Sequence, residues 1–156
     1  MKYFSISLHC AVKRLALIAS LLLSPALAFA GIDWNDKDVK WHSYDAGVAA
    51  AQRENKPILL VVYADWCGVC KKYSKMFNDP AVIKGSKKVV LIRLNQDTDG
   101  KYLAKYSLDG KYVPRTFIMN KNQVIQPSPY KSENYAFFLP PESNAFLVQL
   151  FDQMKP

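Results

Sequence analysis

Apolar and polar positions change period several times along this chain of 156 residues, and each change marks an element. From Ser43 to Asn55 the apolar content is Ala46, Val48, Ala49, Ala50 and Ala51, which predicts a helix with Ser43 as N-cap and Lys56-Pro57 as its stop. Ile58-Leu-Leu-Val-Val-Tyr63 follows as an unbroken β-branched and aliphatic run, the pattern of a strand buried on both faces. From Cys67 to about Phe77 the period turns helical, with Val69, Tyr73, Met76 and Phe77 on one side and Asn78-Asp-Pro80 as terminator. Val89-Val-Leu-Ile-Arg-Leu94 predicts a second buried strand. A loop and a short helix through Tyr102 to Tyr106 lead to the turn Leu108-Asp-Gly-Lys111. Arg115-Thr-Phe-Ile-Met119 and Gln123-Val-Ile-Gln126 predict a hairpin around Asn120-Lys-Asn122, and Pro127 to Ser132 a proline-rich loop. The last helix is expected from Pro141 to Met154, with Phe146, Leu147, Leu150 and Phe151 as its apolar stripe and Pro141 at its first position. Strand and helix in alternation, then a hairpin, then a helix, predict an α/β fold with one mixed sheet covered by helices on both faces.

The N-terminus sets the compartment. Lys2, Lys13 and Arg14 precede the apolar run Leu15 to Leu23, and Ala28-Phe29-Ala30 places small residues at cleavage spacing, which reads as a secretory signal peptide over residues 1–30. A membrane anchor fits less well, because Leu15 to Ala30 includes Pro25 and falls short of the roughly 18 apolar residues a spanning helix needs. After cleavage no stable membrane insertion is expected. The remaining 126 residues, 31–156, suffice for one domain with one core. The leader carries three basic residues and no acidic one, so the net charge falls from +8 to +5. Lys and Arg are scattered along the rest, so the excess reads as a solvated surface rather than a nucleic-acid site.

Cys10 lies in the leader, which leaves Cys67 and Cys70 as the only thiols of the mature chain. Four uses of such a pair compete. Haem attachment requires histidine after the second cysteine, and Lys71 stands there. A closed zinc site needs four ligands, while residues 31–156 hold no further cysteine and His42 alone among histidines. A structural staple over so short a loop constrains the unfolded chain little. Redox catalysis is the preferred use, with a zinc or purely structural pair as the remaining alternatives. If Cys67 opens a helix, the unpaired N–H groups and the dipole favour its thiolate, and in CxxC proteins this lowers the pKa from about 8.5 to between about 3.5 and 7. Cys70, one turn later, is placed to attack a mixed disulfide on Cys67.

Ala64-Asp-Trp-Cys-Gly-Val-Cys-Lys71, followed much later by Val113-Pro-Arg115, resembles the thioredoxin superfamily. Tyr63-Ala-Asp-Trp-Cys67 with Asn78-Asp-Pro-Ala-Val82 is similar to the C-terminal domain of the periplasmic reductase DsbD. Leu108-Asp-Gly-Lys-Tyr-Val-Pro-Arg115, the Trp-bearing N-terminal segment and Tyr135-Ala-Phe-Phe138 resemble the anterior-gradient proteins of the endoplasmic reticulum. The resemblance implies a thioredoxin fold, with Cys67 as nucleophile, Cys70 as resolving thiol and Trp66 shielding the disulfide. It further implies that Pro114 is cis, leaving the Val113 backbone free to pair with a substrate chain. One departure stands out. Where thioredoxin and the DsbD domain carry a buried aspartate, six residues before the first cysteine, this chain has Val61. Arg93 matches a thioredoxin lysine near the same site. Asp65 is a candidate substitute for the acid, although a residue beside Trp66 at a strand end reads as solvated. Both are candidate electrostatic modulators.

The expected protein is an exported, periplasmic thiol–disulfide oxidoreductase that needs no organic cofactor or metal. Its partners are protein thiols and disulfides together with a redox partner protein. The ending Asp152-Gln-Met-Lys-Pro156 differs from an endoplasmic-reticulum retention signal. The rival is a non-catalytic binding module that uses the aromatic segment Tyr130 to Phe138 to contact partners. Direction of the redox reaction is not encoded in Gly68-Val69, since CxxC proteins span about −270 to −120 mV.

Overall fold

A computed structural model describes residues 31–130 and 134–156; the expected leader lies outside the described residues. Five strands form one sheet in the order β1-β3-β2-β4-β5: β1 Trp41–His42, β2 Ile58–Tyr63, β3 Val90–Asn95, β4 Arg115–Met119 and β5 Ile125–Gln126. β1 and β2 run parallel to β3, whereas β4 is antiparallel to β2 and to β5, so the sheet is mixed as expected. β2 lies at the centre because nothing in it tolerates water. Ile58, Leu59, Leu60, Val61 and Val62 are all 0 % exposed, which makes both of its faces core.

Alternation along the strands sorts those faces. Leu59, Val61, Leu91 and Ile118 pack with Trp34, Tyr73, Phe77, Leu147 and Phe151 on one side. Ile58, Leu60, Val62, Ile92, Phe117 and Met119 pack with Ala50, Ala51 and Tyr106 on the other. The second side is covered by α1, Tyr44–Glu54, which ends where Asn55 turns left-handed at φ 52°. On the first side lie α2, Gly68–Ser74, its continuation as a 3-10 turn over Lys75–Asn78, α3, Pro80–Ser86, and, after the short α4 at Gly100–Leu103, α5 at Asn144–Gln153. Gly85 lets α3 meet α5 closely, since a side-chain carbon there would stand 2.8 Å from the Phe151 ring.

Three expectations are corrected and one strand is added. Asp79-Pro80 does not merely stop a helix: Asp79 Oδ1 accepts from the amides of Ala81 at 2.7 Å and Val82 at 3.4 Å and so begins α3, with Pro80 in its first turn. The last helix starts at Asn144 rather than Pro141, because Glu142 takes φ 72° and breaks the helical path. The hairpin loop is longer than expected, with β5 reduced to two residues: Asn120 Oδ1 accepts from the amides of Asn122 and Val124, and Gln123 is left-handed at φ 64°. Trp41–His42 joins the sheet as an edge strand that no apolar run announces.

Candidate active site

β2 delivers the chain to the top of the sheet, and the residues that follow turn it into α2. The Cys67 amide donates to the Ala64 carbonyl at 3.1 Å, and Cys67 then stands as N-cap with extended backbone. Its sulfur accepts from the Cys70 amide at 3.0 Å, so a first-turn N–H is aimed at the atom expected to carry negative charge. Cys67 and Cys70 are joined as a disulfide with Cα atoms 5.2 Å apart. Cys67 is 6 % exposed and Cys70 is 0 %, so an incoming thiol or disulfide meets Cys67 first. Trp66, 65 % exposed, stands beside the pair and donates its indole N–H to Asp97 at 2.8 Å.

A second segment closes on the sulfur from the other side. Cys67 Sγ lies 3.6 Å from the Val113 carbonyl oxygen, and the Val113–Pro114 peptide is cis. Contacts made far away in sequence hold this loop. The Arg115 guanidinium donates to the Tyr112 carbonyl at 2.5 Å and to Gln96 at 3.4 Å. Tyr112 donates its hydroxyl to Asp109 and accepts from the Phe137 amide at 3.1 Å, while Asp109 also accepts from the Ala136 amide at 2.9 Å. The Thr116 amide donates to the Phe137 carbonyl at 2.6 Å. The aromatic segment 135–138 is therefore docked on the loop and on β4. Burial, reinforced by the bond to Asp109, raises the Tyr112 phenol pKa above its ordinary value.

Residues 40–121, just over half of the chain, match the family model described as thioredoxin-like. The chain belongs to the thioredoxin-like family. This thioredoxin-like chain is 28 % identical over 96 residues to anterior gradient protein 3 of Xenopus tropicalis, a match covering 60 % of this chain and 56 % of that protein. It is 45 % identical over 47 residues to the thiol:disulfide interchange protein DsbD of Vibrio vulnificus, covering 30 % of this chain and 8 % of that one. The oxidised C-terminal domain of Neisseria meningitidis DsbD shares the fold, with TM-score 0.51, 21 % identity, and coverage of 80 % of this chain and 98 % of that domain. The chain thus spans little more than half the length of the first of these relatives and a small part of DsbD.

Of the residues singled out in the sequence, Trp66, Cys67, Cys70 and Val113 come together in this thioredoxin-like fold, with Pro114 buried next to Val113. Arg93 does not turn to the sulfurs. Its guanidinium meets Asp36 at 2.8 Å and lies 5.7 Å from the centre of the Trp41 ring. Asp65 is half-buried rather than solvated: Oδ1 accepts from the Ile32 amide at 3.1 Å and Oδ2 from the Asn95 side chain at 2.8 Å. Val61 is fully buried on the face that α2 covers. Arg115 is a site residue that its sequence neighbours do not mark as one. It is 0 % exposed, its Nε and Nη2 have no partner among the described residues, and desolvation lowers its pKa. An arginine directly after Val113-Pro114, at the head of an apolar strand, was the available signal. Among the described residues no group of three or more His, Cys, Asp or Glu side chains is arranged to hold a metal ion.

Proposed function

We propose that this protein is an exported thiol–disulfide oxidoreductase that exchanges disulfides with protein substrates through Cys67. The observation that carries the proposal is the asymmetry of the pair: Cys67 is the less buried cysteine, its sulfur receives the Cys70 amide, and it faces the Val113 carbonyl. In the reducing direction the Cys67 thiolate attacks a substrate disulfide, forming a mixed disulfide and expelling one substrate thiolate. The Cys70 thiolate then attacks Cys67 Sγ and expels the second substrate thiolate, so two electrons pass to the substrate and the protein ends as the disulfide. A partner dithiol restores the reduced pair, and the reverse sequence oxidises substrates. Export follows from the leader pattern of residues 1–30, and a periplasmic location is consistent with the similarity to DsbD.

The test is capture of the mixed disulfide. In Cys70→Ser the resolving step waits for an external thiol, so reducible high-mass adducts accumulate in an exported fraction, with at least tenfold fewer in Cys67→Ser. Equal adducts in the two folded, exported variants would overturn the proposal. The exposed Trp66 beside the pair, and the exposed Tyr135 packed on Tyr112 within the aromatic segment, favour a second reading, a binding module without turnover. Partner capture that persists after both cysteines are replaced would favour it.

A further inference from the structure

Asp65 stands two residues before Cys67 with no counter-ion among the described residues. Half-buried, it takes part in no ion pair among the described residues; its oxygens are occupied by two neutral donors, the Ile32 amide and the Asn95 side chain. Arg93, an obvious cation from the neighbouring strand, is committed to Asp36 at 2.8 Å. The oxygen that accepts from Ile32 also faces Gly31, where a side-chain carbon would stand 3.3 Å from Oδ1 and 3.9 Å from Cγ. The Gly31 nitrogen is one bond, about 1.5 Å, from the same Cα, so it lies within reach of the carboxylate. Ile32 in turn packs against Ala64, Cys67 and Cys70.

In the full-length chain the Gly31 nitrogen is a neutral amide. Cleavage after Ala30 converts it to an α-ammonium group, which with a pKa of about 8 is charged at neutral pH. We propose that the α-ammonium group of Gly31, created by removal of the leader, pairs with Asp65 and acts as a positioning group of the active site that favours the Cys67 thiolate. The proposal rests on the exported, leader-bearing reading above. An unpaired carboxylate this close to Cys67 opposes a second negative charge. A cation on the carboxylate removes that opposition, and partial burial limits screening by salt. Cys67 is then less reactive in the precursor and gains reactivity when the leader is removed.

The experiment compares two exported proteins: the natural chain, and one with Ser-Gly inserted between Ala30 and Gly31, which moves the ammonium away by up to about 7 Å. Both are made in the Cys70→Ser background, with and without Asp65→Asn, and intact mass fixes each N-terminus. The readout is the rate of Cys67 alkylation by iodoacetamide against pH. Asp97, Lys71 and Lys72 are the same in all forms and cancel in the comparison. The natural N-terminus is expected to alkylate about threefold faster at pH 6 than the displaced one, through a lower apparent Cys67 pKa, with a smaller difference in the Asp65→Asn background, where no carboxylate holds the ammonium in place. Equal rates for the two N-termini, or natural cleavage at another bond, would overturn the proposal. Should Asp65→Asn fail to fold, the insertion pair decides by itself. A rate difference that persists in a protein showing no mixed-disulfide capture would sink the oxidoreductase reading and leave this pairing standing.

Discussion

Two segments bracket Cys67, and they are built in opposite ways. Cys67 and Cys70 are placed by bonds that span three or four residues, Cys67 to Ala64, Cys70 to the Cys67 sulfur, and Lys71 to Cys67, while Asp65 and Trp66 beside them reach Ile32, Asn95 and Asp97. Asp109 to Arg115 is tied by bonds to Gln96, Ala136 and Phe137, which lie 19 to 27 residues away from their partners, besides the local bond from Arg115 to the Tyr112 carbonyl. The nucleophile is thus set by local chain geometry, and the wall facing it by tertiary structure. Changes to the first should act on thiol chemistry, and changes to the second on the handling of protein substrates while leaving the thiol itself alone.

The largest effect is expected at Val61, on the face of β2 that α2 covers. Val61 is 0 % exposed and pairs with Arg93 in β3 and Thr116 in β4. Val61→Asp buries a carboxyl in this setting and is expected to destabilise the fold by about 3 kcal/mol. Desolvation raises the folded pKa of the new carboxyl above its unfolded value of about 3.9, so the penalty is smallest at acid pH and grows as pH rises through the folded pKa. Denaturant titrations at pH 4 and pH 8 check the sign. The same variant is expected to speed release of a mixed disulfide near neutral pH by giving Cys70 a base. Unchanged release with the carboxylate shown to be ionised would mean that resolution uses another group.

Local placement is also what the sequence makes legible. The boundaries of β2 and the start of α2 at Cys67 were readable because an unbroken aliphatic run and a CxxC pair each signal within a few residues. β1 was not readable, since Trp41–His42 becomes a strand only by pairing with Leu91 and Ile92. Asp79 reads as a terminator because the same residue type ends one helix and caps the next; its second oxygen, accepting from Asn144 at 2.9 Å, further ties the start of α3 to that of α5. Asp65 and Arg115 illustrate the same limit at the site. Nothing beside them in the chain reveals that Ile32 and Asn95 reach the first, or that the second is buried against Tyr112 and Gln96.

A smaller effect is expected at Tyr112, in the second segment. Tyr112→Phe leaves the Phe137 amide without its acceptor and Asp109 with the Ala136 amide but without the phenol, which should cost about 1 kcal/mol because the bonds are only partly buried. Hydrogen exchange at Ala136 and Phe137 should rise while exchange in α2 stays the same. Increased exchange in α2 would break the separation between the two segments.

The smallest effect on stability, and the sharpest test of the comparison, is expected at Arg115. Its guanidinium is fully buried and forms no ion pair among the described residues, so its desolvation offsets much of what its bonds to Tyr112 and Gln96 contribute. Arg115→Met keeps the apolar stem, removes the buried charge, and should change stability by less than about 1 kcal/mol. The Tyr112 carbonyl nevertheless loses its anchor two residues before Pro114, so the wall facing Cys67 should loosen. Reaction with a protein disulfide is expected to slow by about tenfold, the weight of one lost positioning bond to a charged donor. Alkylation of Cys67 by iodoacetamide, which needs the helix end and not the wall, should keep its rate. A parallel fall in both rates would show that Arg115 acts on the thiol as well, and that the two segments are one device rather than two.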